Sequence, residues 1–381
     1  MPLAGRRSAP VNTVIDRPSL RQRLRPYVSG FDLPLLCALL MLVGIGCIVL
    51  FSALQGQPIH FSDQLRNLLF GLLVLFAVAQ VPPQRLMQIA VPLYTLGVAL
   101  LVATAAFGLV RKGARRWLDL GVVIQPSEIM KIAMPLMLAW YFQKREGLIR
   151  LRDYGIAGLL LAIPVGLIMK QPDLGTAMLV LSTGFFVIFF AGLSWRVLLA
   201  GAVAAAAAAP VLWHFMHDYQ RQRILMLLDP QSDPLGTGFN IIQSMIAIGS
   251  GGVWGQGYLH GTQAHLNFVP ESHTDFVFAV LAEEWGLVGN VTLVLSYVFF
   301  IGRGLYIASQ APTLFSRLLA ASITMIFFTY AFVNMGMVSG ILPVVGVPLP
   351  FVSYGGTALA TLMLGTGILL SIARSRRLVQ S

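Results

Sequence analysis

Charge is the scarcest property of this sequence. Only 11% of its 381 residues are charged and 57% are hydrophobic, against about 25% charged in a typical soluble domain. That deficit excludes an ordinary soluble globule, which cannot hide so much apolar surface. A bilayer can, and each span needs about 20 mostly apolar residues. Cysteine is nearly missing. Cys37 and Cys47 sit in one apolar run, so no disulfide framework exists and the compartment is not readable from them. There is no Gly-rich phosphate loop, no dinucleotide fingerprint and no Ser–His–Asp order worth pursuing. His260 and His265 lie in a glycine-rich loop without cysteine, which argues against zinc. Acidic residues are outnumbered, 15 against 26 Lys and Arg, for a net charge of +11. The basic residues are scattered through short loops and form no stripe, so nucleic acid is not an expected partner.

What is present is a succession of apolar runs. They predict an all-α integral membrane protein of ten transmembrane helices: Leu33–Ala53, Asn67–Val81, Leu86–Val110, Glu128–Phe142, Tyr154–Met169, Thr176–Leu193, Val197–Met216, Asp275–Ile301, Leu318–Gly336 and Thr357–Ala373. The second and fourth are short for a bilayer of ~30 Å. No period of 20–50 residues repeats, so residues 32–373 read as a single membrane domain. The first 31 residues, with six Arg and no apolar core, read as a basic tail rather than a cleavable signal, and 374–381 as a second tail. With the N-terminus inside, seventeen Lys and Arg fall on the inner side, eight on the outer side, and Lys131 within a span. Both termini are therefore expected in the cytoplasm.

Four of the eight outer charges crowd together as Arg111, Lys112, Arg115 and Arg116, against the orientation rule. They are either a loop that escaped the bias or a cluster awaiting an anion such as phosphate. The outer loop 217–274 is long enough to expect function or order. Its stretch Phe239–Gly249 has helical apolar spacing (Ile241, Ile242, Met245, Ile248), which suits packing on the membrane surface.

Charges inside spans are costly, at least ~2.5–3.5 kcal/mol each on insertion scales, and tend to be paired and functional. Glu128 and Lys131 stand three apart on one helix face, as a structural salt bridge or as part of a site. Glu283 and Glu284 are adjacent and point about 100° apart, so one of them is expected to face polar partners inside the bundle. Asp275, at the mouth of the eighth span, is either a helix N-cap or a carboxylate held at the water–lipid boundary for chemistry. Asp173 suits a cap on the sixth span. The stretch Gly340–Gly356 holds three prolines and cannot be a regular helix, so at membrane depth it must be buried in protein or line a cavity.

Five motifs in this order, KGARRWLDLG (112–121), QPSEIMK (125–131), QPDLGT (171–176), PESHTDF with AEEWG (270–276 and 282–286) and PLPFVSYGG (348–356), resemble the shape, elongation, division and sporulation (SEDS) family. They cover nearly the whole chain. HDYQRQR (217–223) and LPVVGVP (342–348) look more like the elongation member than the division member. The resemblance implies a peptidoglycan glycosyltransferase that joins lipid II into glycan strands at the outer face of the bacterial inner membrane and releases undecaprenyl pyrophosphate. It places the family's essential Asp at Asp275. It also implies a divalent cation (Mg²⁺ or Mn²⁺), a class B penicillin-binding protein as crosslinking partner and other elongation proteins, all among membrane lipids.

In that reaction an acceptor hydroxyl must lose a proton, which a carboxylate such as Asp275 can take. The pyrophosphate leaving group needs cations, for which Arg116, Arg115, Lys112, Arg221 and Arg223 are the candidates, with Glu128 and Lys131 beside them. Met245 and Gln256 stand where many relatives carry Lys, so no lysine acts at either place. A lipid II flippase or a noncatalytic scaffold for the penicillin-binding protein are the competing readings.

Overall fold

The computed structural model describes residues 30–54, 58–111, 114–119, 121, 123–216, 218–234, 238–262 and 273–380. Lys112, residues 1–29 and the first three residues of the PESHTDF motif lie outside the described residues. Helices α1 (Leu33–Ala53), α2 (Pro58–Ala79) and α3 (Pro83–Phe107) come first. An antiparallel sheet follows, β1 (Leu109–Arg111), β2 (Ala114–Asp119) and β3 (Val123–Ile124), with β2 in the middle. Then come α4 (Pro126–Lys144), α5 (Leu151–Lys170), α6 (Leu174–Phe190), α7 (Trp195–Phe215), α8 (Asp218–Leu228), a 3₁₀ turn (Pro230–Ser232) and α9 (Phe239–Ser250). Helices α10 (Val277–Ser309), α11 (Leu314–Val338) and α12 (Gly356–Gln380) complete the chain.

The helix starts carry the expected signals. Asp32 caps α1 through Leu35 N at 3.0 Å, with proline in the first turn. Asp173 caps α6 through Thr176 N, as the sequence suggested, and Thr313 caps α11. Each of the ten predicted apolar segments overlaps a helix, although the third helix stops at Phe107 and the last predicted residues of that segment, Leu109 and Val110, begin strand β1. Among the described residues seven helices are long and apolar enough to cross a membrane: α1, α2, α3, α5, α10, α11 and α12. Helices α6 and α7 are apolar but shorter by that measure, and α4 carries Glu128 and Lys131. Leu40, Leu69 and Leu73 lie on outward faces, where lipid is the compatible solvent. The core runs through α11, the most enclosed helix, packed by α4, α6 and α10.

Three expectations need correction. Helix α2 starts at Pro58, well before Asn67; most of the added turns are exposed, but Gln64 on them is buried against residues 353–355. The apolar positions of α9 divide: Ile242 and Ile248 are half-buried and Met245 is exposed. Ile241 and Ala247 are buried against the bundle, and Ser244 Oγ donates to Val338 O at 3.0 Å. Asp275 is not the N-cap of α10: that position is Phe276, with no side-chain cap bond.

Candidate active site

The sheet, the starts of α4, α6 and α10 and the stretch between α11 and α12 gather at one end of the bundle. Residues 339–355 are non-helical throughout, as the prolines require. Peptide groups exposed in a membrane interior cost several kcal/mol each unless rebonded. Here side chains from other helices do the rebonding. Tyr297 Oη donates to Pro350 O at 2.6 Å, and Arg223 Nη1 to Val344 O at 2.8 Å. Gln64 accepts from Gly355 N at 3.3 Å and approaches Ser353 O, and Ser353 Oγ accepts from Leu349 N at 2.7 Å. Phe351 is held at φ +64°, a strained angle for a bulky residue, by packing against Phe300 and Phe327.

Asp275 sits against this segment. A Cβ built on Gly346 would lie 3.2 Å from Asp275 Oδ2, close enough to press on the carboxylate, and the φ of +72° at Gly346 favours glycine. The opposite side of the same segment meets the start of α6, where a Cβ on Gly175 would fall 2.6 Å from Val345 O. The stretch Val344–Val347 thus brings together Asp275, the QPDLGT turn and Arg223.

The basic candidates divide. Arg116, on β2, donates to the carbonyls of Gln171 (3.4 Å) and Pro172, with Asp173 3.9 Å away. Asp173 also accepts from Gln125 Nε2 at 3.2 Å, so Arg116 helps fasten sheet, α4 and α6 together. Its side chain is still 34% exposed, which leaves an edge for a ligand. Arg115 is exposed. Arg221 donates to Trp213 O (3.0 Å) and His214 O (2.7 Å), closing the turn between α7 and α8.

Lys131 is buried, and its Nζ lies 2.5 Å from both Glu128 Oε1 and Tyr330 Oη. Thr361 Oγ1 donates to Glu128 Oε2 at 3.2 Å. The pair therefore joins α4, α11 and α12. Tyr330 belongs to this network and carried no sequence signal beyond an apolar-face position.

A second break flanks the site. Helix α10 is interrupted at Gly286 (φ +61°, ψ −153°), and the turn after α9 fills the gap with main chain. Gln256 N and Gly257 N donate to the carbonyls of Glu283 (2.9 Å) and Glu284 (3.1 Å). In return Leu287 N and Val288 N donate to Gly252 O (2.9 Å) and Val253 O (3.2 Å). Both glutamates are buried, not one alone: Thr262 donates to Glu283 and Ser52 to Glu284. Burial, with help from the Glu284 charge, raises the Tyr258 phenol above its ordinary pKa, so it stays protonated beside Trp285. Among the described residues no group of three His, Cys, Asp or Glu is arranged to hold a metal ion.

Seven helices long and apolar enough to cross a membrane, with broken backbone, the Asp275 carboxylate and several arginines gathered at one end of the bundle, define a multi-pass membrane protein. The particular family follows from comparison. A family model described as "Cell cycle protein", for FtsW, RodA and SpoVE, matches residues 32–378, and the chain belongs to that family, the SEDS proteins. Peptidoglycan glycosyltransferase MrdB of Escherichia coli K12 is 53% identical over 351 residues, covering 91% of this chain and 95% of the relative. Peptidoglycan glycosyltransferase RodA of Treponema pallidum is 31% identical, covering 91% and 98%. A chain from a structure titled "Structural coordination of polymerization and crosslinking by a peptidoglycan synthase complex" superposes with TM-score 0.79 at 38% identity, covering 91% and 98%. Thermus thermophilus RodA superposes with TM-score 0.70 at 32% identity, covering 92% and 99%.

Proposed function

We propose that this chain is the peptidoglycan glycosyltransferase of cell elongation, polymerising lipid II at the periplasmic face of the inner membrane. The observation that carries the reading is the 53% identity to a glycosyltransferase over nearly the whole length of both chains. In this reading the bundle crosses the membrane ten times with both termini in the cytoplasm, α8 and α9 belong to a long periplasmic loop, and Asp275 faces the periplasm.

Asp275 takes the proton of the acceptor sugar hydroxyl as its oxygen bonds to the donor's anomeric carbon. The bond from that carbon to the pyrophosphate breaks, and undecaprenyl pyrophosphate leaves with the electron pair. Arg116, through its exposed edge, and Arg115 on the same strand face the pyrophosphate, with Lys112 a further candidate by sequence. Arg223 and Arg221 shape the opposite wall by holding Val344 and the α7–α8 turn. Glu128 and Lys131 support the floor. Among the described residues no group of three His, Cys, Asp or Glu could hold a divalent cation, so a cation would be held mainly by the substrate's pyrophosphate, leaving proton abstraction to Asp275. Bound there, Mg²⁺ or Mn²⁺ would neutralise phosphate charge. A class B penicillin-binding protein crosslinks the strands, and further elongation proteins join the assembly.

The test is purified protein with its penicillin-binding partner, Mg²⁺ and fluorescent lipid II. Wild type is expected to yield glycan polymer, and Asp275→Asn none while it still inserts and binds the partner. Polymer from the Asn variant at more than a few per cent of the wild-type rate would remove Asp275 as the base. Lipid II crossing vesicle membranes without polymer would favour a flippase, and neither activity a scaffold.

A further inference from the structure

We infer that Asn334 is a positioning residue for polymerisation, clamping the Asp275 main chain to the wall beside its carboxylate. The inference rests on the reading of Asp275 as the base. Asn334 lies on α11 and is fully buried. Its Nδ2 donates to Asp275 O and to Val347 O, each at 2.7 Å. Both amide hydrogens are thereby spent, and the orientation of the amide follows, because its oxygen would repel either carbonyl.

Three further observations support the clamp. Asp275 Oδ2 lies beside Gly346, the neighbour of Val347, so one side chain fixes the two surfaces that define where the carboxylate sits. Residues 273–276 are turn rather than helix, so no helical hydrogen-bond ladder sets their position. The stretch is tied at its start by Tyr354 N donating to His273 O at 2.8 Å, and at Asp275 by Asn334. Finally, Asn334 Oδ1 is buried with no hydrogen-bond partner among the described residues. An unsatisfied buried acceptor costs about 1–3 kcal/mol. A leucine would avoid that cost, so the donor end is what this position requires.

A buried amide cannot meet a lipid-linked substrate, so its loss should act on turnover and not on substrate affinity. Displacing a reacting group by about 1 Å can lower rates on the order of a hundredfold. Asn334→Asp keeps shape and loses at least one donor, and Asn334→Leu fills the space and loses both. Initial rates against lipid II concentration are measured for both, per molecule of monodisperse protein in complex with the partner, alongside Asp275→Asn. The expected result is kcat lower by about 10–100-fold with KM within about twofold, and Asp275→Asn inactive. Wild-type kcat per folded molecule in either variant, whatever its melting temperature or yield, overturns the clamp. A raised KM at unchanged kcat overturns it too, since that assigns Asn334 to substrate contact. Activity in Asp275→Asn overturns the base reading itself, and the clamp with it, so the two failures are distinguishable.

Discussion

Replacing Lys131 by Met tests the buried network most directly. The substitution keeps roughly the length and apolar stem of the side chain and deletes only the ammonium. Glu128 Oε1 then loses its 2.5 Å partner, Tyr330 Oη loses its acceptor role, and only the 3.2 Å bond from Thr361 remains to the carboxylate. Stranding one member of a buried ion pair costs about 3–5 kcal/mol. The loss should appear as an earlier thermal loss of the monodisperse peak in detergent, together with reduced polymerisation. Neutralising both partners, Glu128→Gln with Lys131→Met, should cost less than Lys131→Met alone, because no charge is left unpaired.

Charge exchange sharpens the result. A glutamate at 131 can accept from Tyr330 Oη, and a lysine at 128 can donate to Thr361 Oγ1, so every polar group again has a partner. The exchanged protein should recover part of the lost stability, with a remainder from the shorter acid at 131. If it recovers activity as well, the pair is structural. If stability returns without activity, Lys131 acts on substrate. Equal stability in wild type and Lys131→Met would refute the reasoning, since it would mean the buried carboxylate does not need its cation.

Gly286→Ala should abolish accumulation of folded protein or expose residues 251–262 to protease, because the new Cβ would strike Gly255 N and Val253 and the backbone angle suits only glycine; Gly302→Ala, on the same helix with open space around it, should be silent. Arg116→Ala should both raise KM for lipid II and lower the melting temperature by loosening the Gln171–Asp173 turn, with Lys rescuing neither fully. Arg115→Ala should leave the melting temperature unchanged and alter only lipid II dependence, and identical saturation curves for Arg115→Ala and wild type would remove Arg115 from the site.

The helices were legible because their signal is additive. Twenty apolar residues in a row need no long-range information, and the cap at Asp173 is local chemistry. The polar first turns of α2 were not, since Gln64 reads as a surface residue until its partners near Gly355, almost 300 positions away, are known. The same holds for Asn334 and Tyr330, which look like ordinary members of an apolar helix and become functional candidates only through contacts with Asp275, Val347 and Lys131. Arg116 was legible as a charge in an unusual place, but its attachment to the turn at Gln171 was not. The break in α10 was invisible for a related reason. Glycine is common in membrane helices, and only the turn at Gly251–Gly257 docking against it distinguishes Gly286.

The two breaks have one physical logic. A reaction at the membrane boundary needs a concave, polar site, and an uninterrupted helix presents only side chains around a closed hydrogen-bond ladder. Opening that ladder exposes peptide groups, each of which must find another partner where water is scarce. At Gly286 the exchange is main chain for main chain, four hydrogen bonds between α10 and the turn after α9. At residues 339–355 it is side chain for main chain, through Gln64, Arg223, Tyr297 and Asn334. The first solution is insensitive to side-chain identity except at the glycines, and the second depends on each side chain. Substitutions around Gly286 should therefore fail as folding defects, whereas substitutions among the four side chains should fail first as displaced backbone beside Asp275.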